Sequence, residues 1–297
     1  MKPSREQIAD EFKKIQNEIC SGIELLDGKG KFSEDRWNRE GGGGGISRVI
    51  AGGDLLEKGG VNFSEVHGIP PNVLKEEFKD ATNFFATGVS IVLHPHNPLV
   101  PIIHMNIRYF EVDTGQCWFG GGIDVTPHYI VDEDARHFHE ELKKVCDTYH
   151  TSYYPEFSKW ADDYFFITHR NETRGVGGIF FDHQSPREGQ DWSRLFEFVC
   201  ALGRSFVALY TQQVTHRRNL PFTDQQKRWQ LLRRGRYVEF NLVYDRGTRF
   251  GLLTGGRTES ILMSLPETAR WEYNFHPEKN SPEEQTLVRL SKGRYRA

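Results

Sequence analysis

Cysteine is scarce in this 297-residue chain, and none of its four copies stands in a CxxC pair. Cys20, Cys117, Cys146 and Cys200 lie far apart, which excludes the common zinc and dithiol motifs and fits reduced cysteines in a cytosolic protein. An excess of either charge is also lacking: 38 Lys and Arg against 41 Asp and Glu leave a net charge of -3. That balance excludes a general nucleic-acid or anionic-membrane binder, so any anionic ligand must be held by a local arginine cluster. The first residues, MKPSREQIADEFKK, lack the apolar stretch of a signal peptide and are too acidic for a transit peptide, so a cytoplasmic location is expected. Residues 81–107 contain no Asp, Glu, Lys or Arg, yet His94-Pro-His96-Asn-Pro98 interrupts them with groups that could not stay unpaired in lipid. Two buried strands joined by a polar turn are expected there, and no membrane span.

With 37% hydrophobic residues and no biased tract, the chain reads as globular. Ser4 followed by Gln7 is a capping-box pattern, and Ile8, Phe12, Ile15 and Ile19 then recur at helical spacing. Further helices are expected over 72–86, 133–149, 155–168 and 191–216. The last of these places Leu195, Phe198, Leu202, Phe206 and Leu209 on one face. Strands are expected over 89–93, 100–112, 117–119 and 176–181. Residues 237–244 and 248–253 flank Asp245-Arg246-Gly247, which reads as a hairpin. Gly41 to Gly45 has no Walker ending and is read either as a flexible connector or as a mobile lid. With neither repeat nor linker, the sequence points to one α+β domain, 1–297, built on an antiparallel sheet.

The segment from Val100 to Phe110 is the most informative. Alternation along a strand places His104, Asn106 and Arg108 on one face and Ile103, Met105 and Ile107 on the other. An ordinary solvated face would carry Lys, Glu and Thr, so this trio favours a binding site. Ser90 and His94 share a parity on the preceding strand. His94 and His96, with His104, His139 or His169, could ligate a metal, although histidine also serves as a hydrogen-bonding core residue. Trp118-Phe-Gly-Gly-Gly-Ile-Asp124 allows close approach to a flat ligand. Its carboxylate could accept pyrrole N–H bonds or move a proton, or simply bond its own turn. The arginines of His169-Arg-Asn-Glu-Thr-Arg-Gly175, of 233–236 and of Gly255-Gly-Arg257 could hold carboxylates bidentately if they converge.

The segments GGGGGISRVI, GVNFSEVHG, HPHNPLVP, HMNIRYFE, WFGGGIDVTP, RRGRYVEFNLVYDRGTRFGL and TGGRTESILMSLP together resemble the oxygen-dependent coproporphyrinogen oxidases, through nearly the whole chain. The resemblance implies a large flat antiparallel sheet covered by helices on both faces, acting as a homodimer. It implies oxidative decarboxylation of two propionates of coproporphyrinogen III to vinyl groups, giving protoporphyrinogen IX. Molecular oxygen would be the co-substrate, with no flavin or haem and with a divalent metal as an open question. Carried onto this chain, Ser90, Asn106, Ile107, Arg108, Gly255, Gly256 and Arg257 would contact substrate, and His104 would donate a proton. His94, His104, His139 and His169 would be the metal ligands, with His137 a rival to His139. The stretch from Tyr237 to Met263 would help form the dimer interface. In the mechanism expected from this, Asp124 binds the pyrrole N–H groups and Arg108 fixes the reacting propionate. A histidine-ligated iron oxygenase and a tetrapyrrole carrier without catalysis are the alternatives. Dependence on stoichiometric iron would single out the first, and binding without oxygen consumption the second.

Overall fold

The computed structural model describes residues 1–297 except 72–74, 77 and 254–255. The first helix, α1 (Arg5–Asp27), starts where the capping box places it. Ser4 Oγ accepts the Gln7 N–H, the Gln7 side chain accepts the Ser4 N–H, and Ile8, Phe12, Ile15 and Ile19 are buried on one stripe. Six strands follow: β1 (Ser33–Asn38), β2 (Gly43–Ala51), β3 (Leu56–Gly68), β4 (Phe84–Pro95), β5 (Ile102–Val112) and β6 (Cys117–Thr126). Two helices come next, α2 (Asp132–Tyr149) and α3 (Tyr153–Tyr164), then the short strands β7 (Phe166–Ile167) and β8 (Glu172–Thr173), and then β9 (Gly178–Gln184). The chain closes with α4 (Trp192–Thr215), α5 (Asp224–Val243), α6 (Arg246–Leu253), α7 (Thr258–Leu262) and α8 (Pro282–Arg289). Strands pair antiparallel throughout, in the order β1-β2-β3-β4-β5-β6-β9, while β7 and β8 pair only with each other. The α+β class and the antiparallel sheet are therefore as expected.

The sheet has two chemically different faces because side chains alternate. Val89, Ile91 and Leu93 of β4 and Ile103, Met105 and Ile107 of β5 are fully buried, in a core that takes in residues from Ile8 to Tyr295 and includes the inner faces of α1, α2 and α4. The other face is covered at one end by α5, where Tyr237 packs with Val92 and Ile102, and beyond it by α7, where Met263 lies against Gly60. Helix α3 wraps the β9 edge: Phe157 stacks on Phe181 toward the core, and Tyr164 on Phe180 toward the other face, with ring centroids 5.0 and 3.9 Å apart. Among the described residues no helix is long and apolar enough to cross a membrane.

Several elements differ from the sequence reading. The helix expected over 72–86 is replaced from Phe84 onward by β4, because the Asp113 carboxylate accepts the Thr82 and Asn83 N–H groups and turns the chain there; its first residues lie partly outside the described set. Strand β6 continues through Gly120, Gly121 and Gly122, since the ladders to β5 and β9 supply hydrogen bonds that low intrinsic propensity does not abolish. The Gly41–Gly45 run is not a loose connector: Gly43 to Gly45 form the start of β2, paired to β3, and the positive φ of Gly43 (80°) makes the tight entry possible. The hairpin expected around Asp245 is two helices. Thr223 caps α5 in a second capping box with Gln226, and Asp245 accepts the Thr248 N–H at 2.7 Å, so it caps α6 instead of closing a β-turn. Helix α3 ends at Tyr164 rather than 168, and β9 starts at Gly178.

Candidate active site

Strand register builds a polar floor on the face opposite the core. One row across β2 to β6 reads Ser47, Asn62, Ser90, Asn106, Gly122, and the next reads Gly45, Ser64, Gly88, Arg108, Gly120. Small side chains at most of these positions keep the backbone close to whatever lies above it, which suits a broad flat ligand. Residues 104 and 108 stand on the same strand about 13 Å apart at the usual rise.

At one end of this floor His104 sits on a buried ion pair. The His104 Nδ1–H donates to Asp124 Oδ1 at 2.8 Å, and Arg174 Nε donates to Asp124 Oδ2 at 3.1 Å. The Asp124 and Arg174 side chains are each only 2% exposed, whereas that of His104 is 20% exposed. Burial alone would push the Asp124 carboxyl up. The Arg174 charge and the His104 hydrogen bond outweigh that and hold it below the usual carboxylate range. Arg174 is itself packed against the rings of Phe165, Phe240 and Tyr237, at 4.2, 4.6 and 5.0 Å, and donates to Asn241. Because the ionised carboxylate takes the Nδ1 proton, Nε2 is the His104 nitrogen left with no described protein partner. That is the arrangement of a proton-transfer histidine held in one orientation.

Toward the other end, Arg108 donates to Asn106 Oδ1 at 2.8 Å and pairs with Asp182 at 2.9 Å, while remaining 34% exposed. The rows then open into a cavity of about 460 Å³ over β1 and β3 to β5, with α6 and α7 on its far wall. Asn62, Ser64, Phe110, Gly256, Arg257 and Ser260 are among its lining residues. Arg257 pairs with Asp35 and bonds Ser260, and Ser260 in turn meets Ser47 on the sheet.

The sequence-derived residues divide accordingly. His104, Asn106, Arg108 and Ser90 share the floor, and Gly256 and Arg257 border the cavity; Gly255 lies outside the described residues. Two of the residues stand differently from the rest of the floor. The Ile107 side chain is fully buried on the core face, because odd positions of β5 point away from the floor, so it offers the site no side chain. The Asp124 carboxylate faces Arg174 and His104, with only 2% of its side chain exposed, so it is placed to orient His104.

The four candidate metal ligands are not brought together either. His94 is fully buried and its Nε2 donates to the Ser264 carbonyl at 2.9 Å; burial depresses its pKa to about 3. His139 is held between the Val176 carbonyl and the Tyr154 hydroxyl on the core side. His169 lies at the surface between Glu239 and Tyr244, and His137 is an exposed residue of α2. Among the described residues no three His, Cys, Asp or Glu side chains are grouped to hold a metal ion. The arginines of α5 also do not converge on the site: Arg233 pairs with Glu172, Arg234 with Glu57 and Arg236 with Glu239.

Sequence reasoning missed Arg174 as the partner of Asp124, and it missed Asn62 and Ser64. The alternation in Val61-Asn-Phe-Ser64 would have found the latter pair, since both polar residues fall on one face. No local signal marks Arg174 among its neighbours.

Comparisons with known proteins bear on this geometry. The family model described as coproporphyrinogen III oxidase matches residues 7–295. The chain is 50% identical over 292 residues to the soybean (Glycine max) protein named oxygen-dependent coproporphyrinogen-III oxidase, chloroplastic, covering 93% of this chain and 75% of that protein. It is 51% identical over 288 residues to coproporphyrinogen-III oxidase 1, chloroplastic, of Arabidopsis thaliana, covering 92% and 74%. A protein of Prochlorococcus marinus (strain NATL1A), named oxygen-dependent coproporphyrinogen-III oxidase, is 49% identical over 294 residues, covering 91% and 84%.

Proposed function

The chain belongs to the coproporphyrinogen III oxidase family, and we infer that its polar sheet face catalyses the family's oxygen-dependent step in porphyrin biosynthesis. Each turn of the reaction converts a propionate to a vinyl group: a C–H bond and the bond to the carboxyl carbon break, carbon dioxide leaves, and two electrons pass to oxygen to give hydrogen peroxide. The reduced macrocycle is electron-rich and can itself deliver electrons to oxygen, so what the chain supplies is orientation and proton movement.

The observation that carries this reading is His104, held by the Asp124–Arg174 pair at one end of a floor of small residues. The macrocycle lies over the Ser90–Asn106–Gly122 row, Arg108 holds the reacting propionate, and His104 Nε2 moves the proton as the ring is oxidised. Asp182 and Asn106 keep the Arg108 guanidinium in place. The histidine donors do not fit a shared metal, since His94, His139 and His169 each serve partners of their own; no step is assigned to a metal.

Anaerobically prepared coproporphyrinogen III, mixed with oxygenated enzyme with and without chelator, tests the assignment. Oxygen uptake with formation of protoporphyrinogen IX and carbon dioxide is expected in both samples. Binding without uptake would leave a carrier, and uptake only with added metal would restore the histidines as ligands.

The assembly is a homodimer in this reading, joined through the later part of the Tyr237 to Met263 stretch. Tyr237 and Phe240 are buried within the fold, but Leu242, Val243, Phe250, Leu252 and Leu253 expose 40–70% of their surface. Leu253→Asp is expected to shift sedimentation from dimer toward monomer, and an unchanged dimer would move the interface elsewhere.

A further inference from the structure

Arg39 is a cavity-lining arginine that has no carboxylate partner among the described residues. It follows β1, where its N–H donates to the Gly43 carbonyl and its own carbonyl accepts the Gly42 N–H, so the backbone is fixed on both sides. Its guanidinium lies over the Phe84 ring at 5.6 Å and donates one bond, 3.2 Å, to the His67 carbonyl. A Cβ on Gly41 would fall 2.5 Å from Arg39 Nη1, so the glycine there leaves the room that the guanidinium fills.

The other arginines near the site have anionic partners: Arg108 has Asp182, Arg174 has Asp124 and Arg257 has Asp35. Arg39 has no carboxylate partner among the described residues, and its Nε and Nη2 donors have no hydrogen-bond acceptor there. It borders the same cavity of about 460 Å³ in which Val66, Phe84, Ala86 and Phe110 give an apolar floor. A positioned guanidinium with spare donors beside an apolar slot recognises an apolar body that ends in a carboxylate. Ala86 stands two residues from Gly88, which is opposite Arg108, and six from Val92, which is opposite His104. The slot is therefore on the far side of Arg108 from the proton-transfer histidine.

We propose that Arg39 is a specificity-determining residue that binds the carboxylate of a propionate that is not being decarboxylated, and so anchors the macrocycle while another propionate reacts at Arg108 and His104. This rests on the functional reading above. It separates the two kinds of propionate in space: one held where the chemistry occurs, one held on the far side of Arg108 from His104.

The test uses the full chain, coproporphyrinogen III, and an analogue esterified at one of the two propionates that survive in the product. Arg39→Gln is expected to raise KM for the free acid about 10- to 100-fold, the range of one charge-assisted contact, with kcat within about twofold of the wild type. Arg39→Lys should recover part of that loss. The wild type should bind the ester more weakly than the acid, measured also by fluorescence quenching with the oxidised, unreactive porphyrin, and Arg39→Gln should not distinguish them. Unchanged KM and unchanged discrimination in Arg39→Gln would overturn the proposal, as would a fall in kcat at constant KM. Should Arg39→Gln fail to fold, equal wild-type binding of acid and ester would overturn it by itself. Wild-type enzyme that discriminates acid from ester but consumes no oxygen would refute the catalytic reading and leave Arg39 as a carboxylate anchor.

Discussion

Arg174 shows how much one side chain can decide. Its guanidinium is enclosed by three aromatic rings and closes both oxygens of Asp124. Removing the positive charge would strand a buried carboxylate, so Arg174→Gln is expected to cost about 3–5 kcal/mol in urea unfolding. Turnover should fall as well, because Asp124 would then be protonated or displaced and His104 would lose its fixed tautomer. Near-normal stability together with full activity would show that the pair does not support His104. None of this is legible locally, since the two partners are 50 residues apart in sequence. The polar side of β5 was legible because alternation is a property of the strand itself. The same rule also shows why Ile107 belongs to the core.

At the scale of elements, the site is a consequence of strand register. Ser90 and Asn106 face each other because β4 and β5 pair at Ser90↔Asn106, and Gly122 joins them through β6. A larger side chain in that row should raise the floor without unpairing the ladder. Ser90→Val keeps a β-compatible residue and is expected to raise KM for coproporphyrinogen about tenfold through lost polar contact and lost space, with little change in thermal midpoint. Unaltered KM would place the ligand away from this row. Helix α5 is the opposite case, because residues 237–244, its last turns and C-cap, read as strand. In the folded chain their burial follows a helical repeat, with Arg233, Arg234, Tyr237, Phe240 and Asn241 turned inward. A buried face containing two arginines does not register as a hydrophobic stripe, and ion pairs to Glu172 and Glu57, with the Arg234 bond to the Pro95 carbonyl, make it acceptable in the interior.

For the molecule as a whole, buried histidine makes stability depend on pH. His94 is fully buried, and its pKa in the folded state is about 3, below the ordinary 6.5, because burial disfavours the imidazolium. The unfolded chain therefore binds the proton first as pH falls. Its contribution to stability is undiminished above pH 6.5 and declines by about 1.4 kcal/mol per pH unit below it, down to the folded value. His94→Gln, which does not titrate, should lessen the loss of stability between pH 7 and pH 5 in urea titrations. Parallel pH profiles for the two proteins would mean that His94 is not held neutral.

The sequence by itself determined the class of fold, the first helix with its cap, the long α4 helix, the two-faced character of β5 and, through idiosyncratic segments, the family. These are properties of neighbours along the chain: capping, periodicity, alternation and uncommon strings of residues. Tertiary structure alone decided that β6 runs on through its glycines, that Asp245 caps a helix, and that four candidate ligand histidines occupy separate places. It also decided which carboxylate meets which arginine. Pairing across a sheet and burial against a distant helix depend on contacts between residues tens of positions apart, and no local pattern encodes which partner will be found.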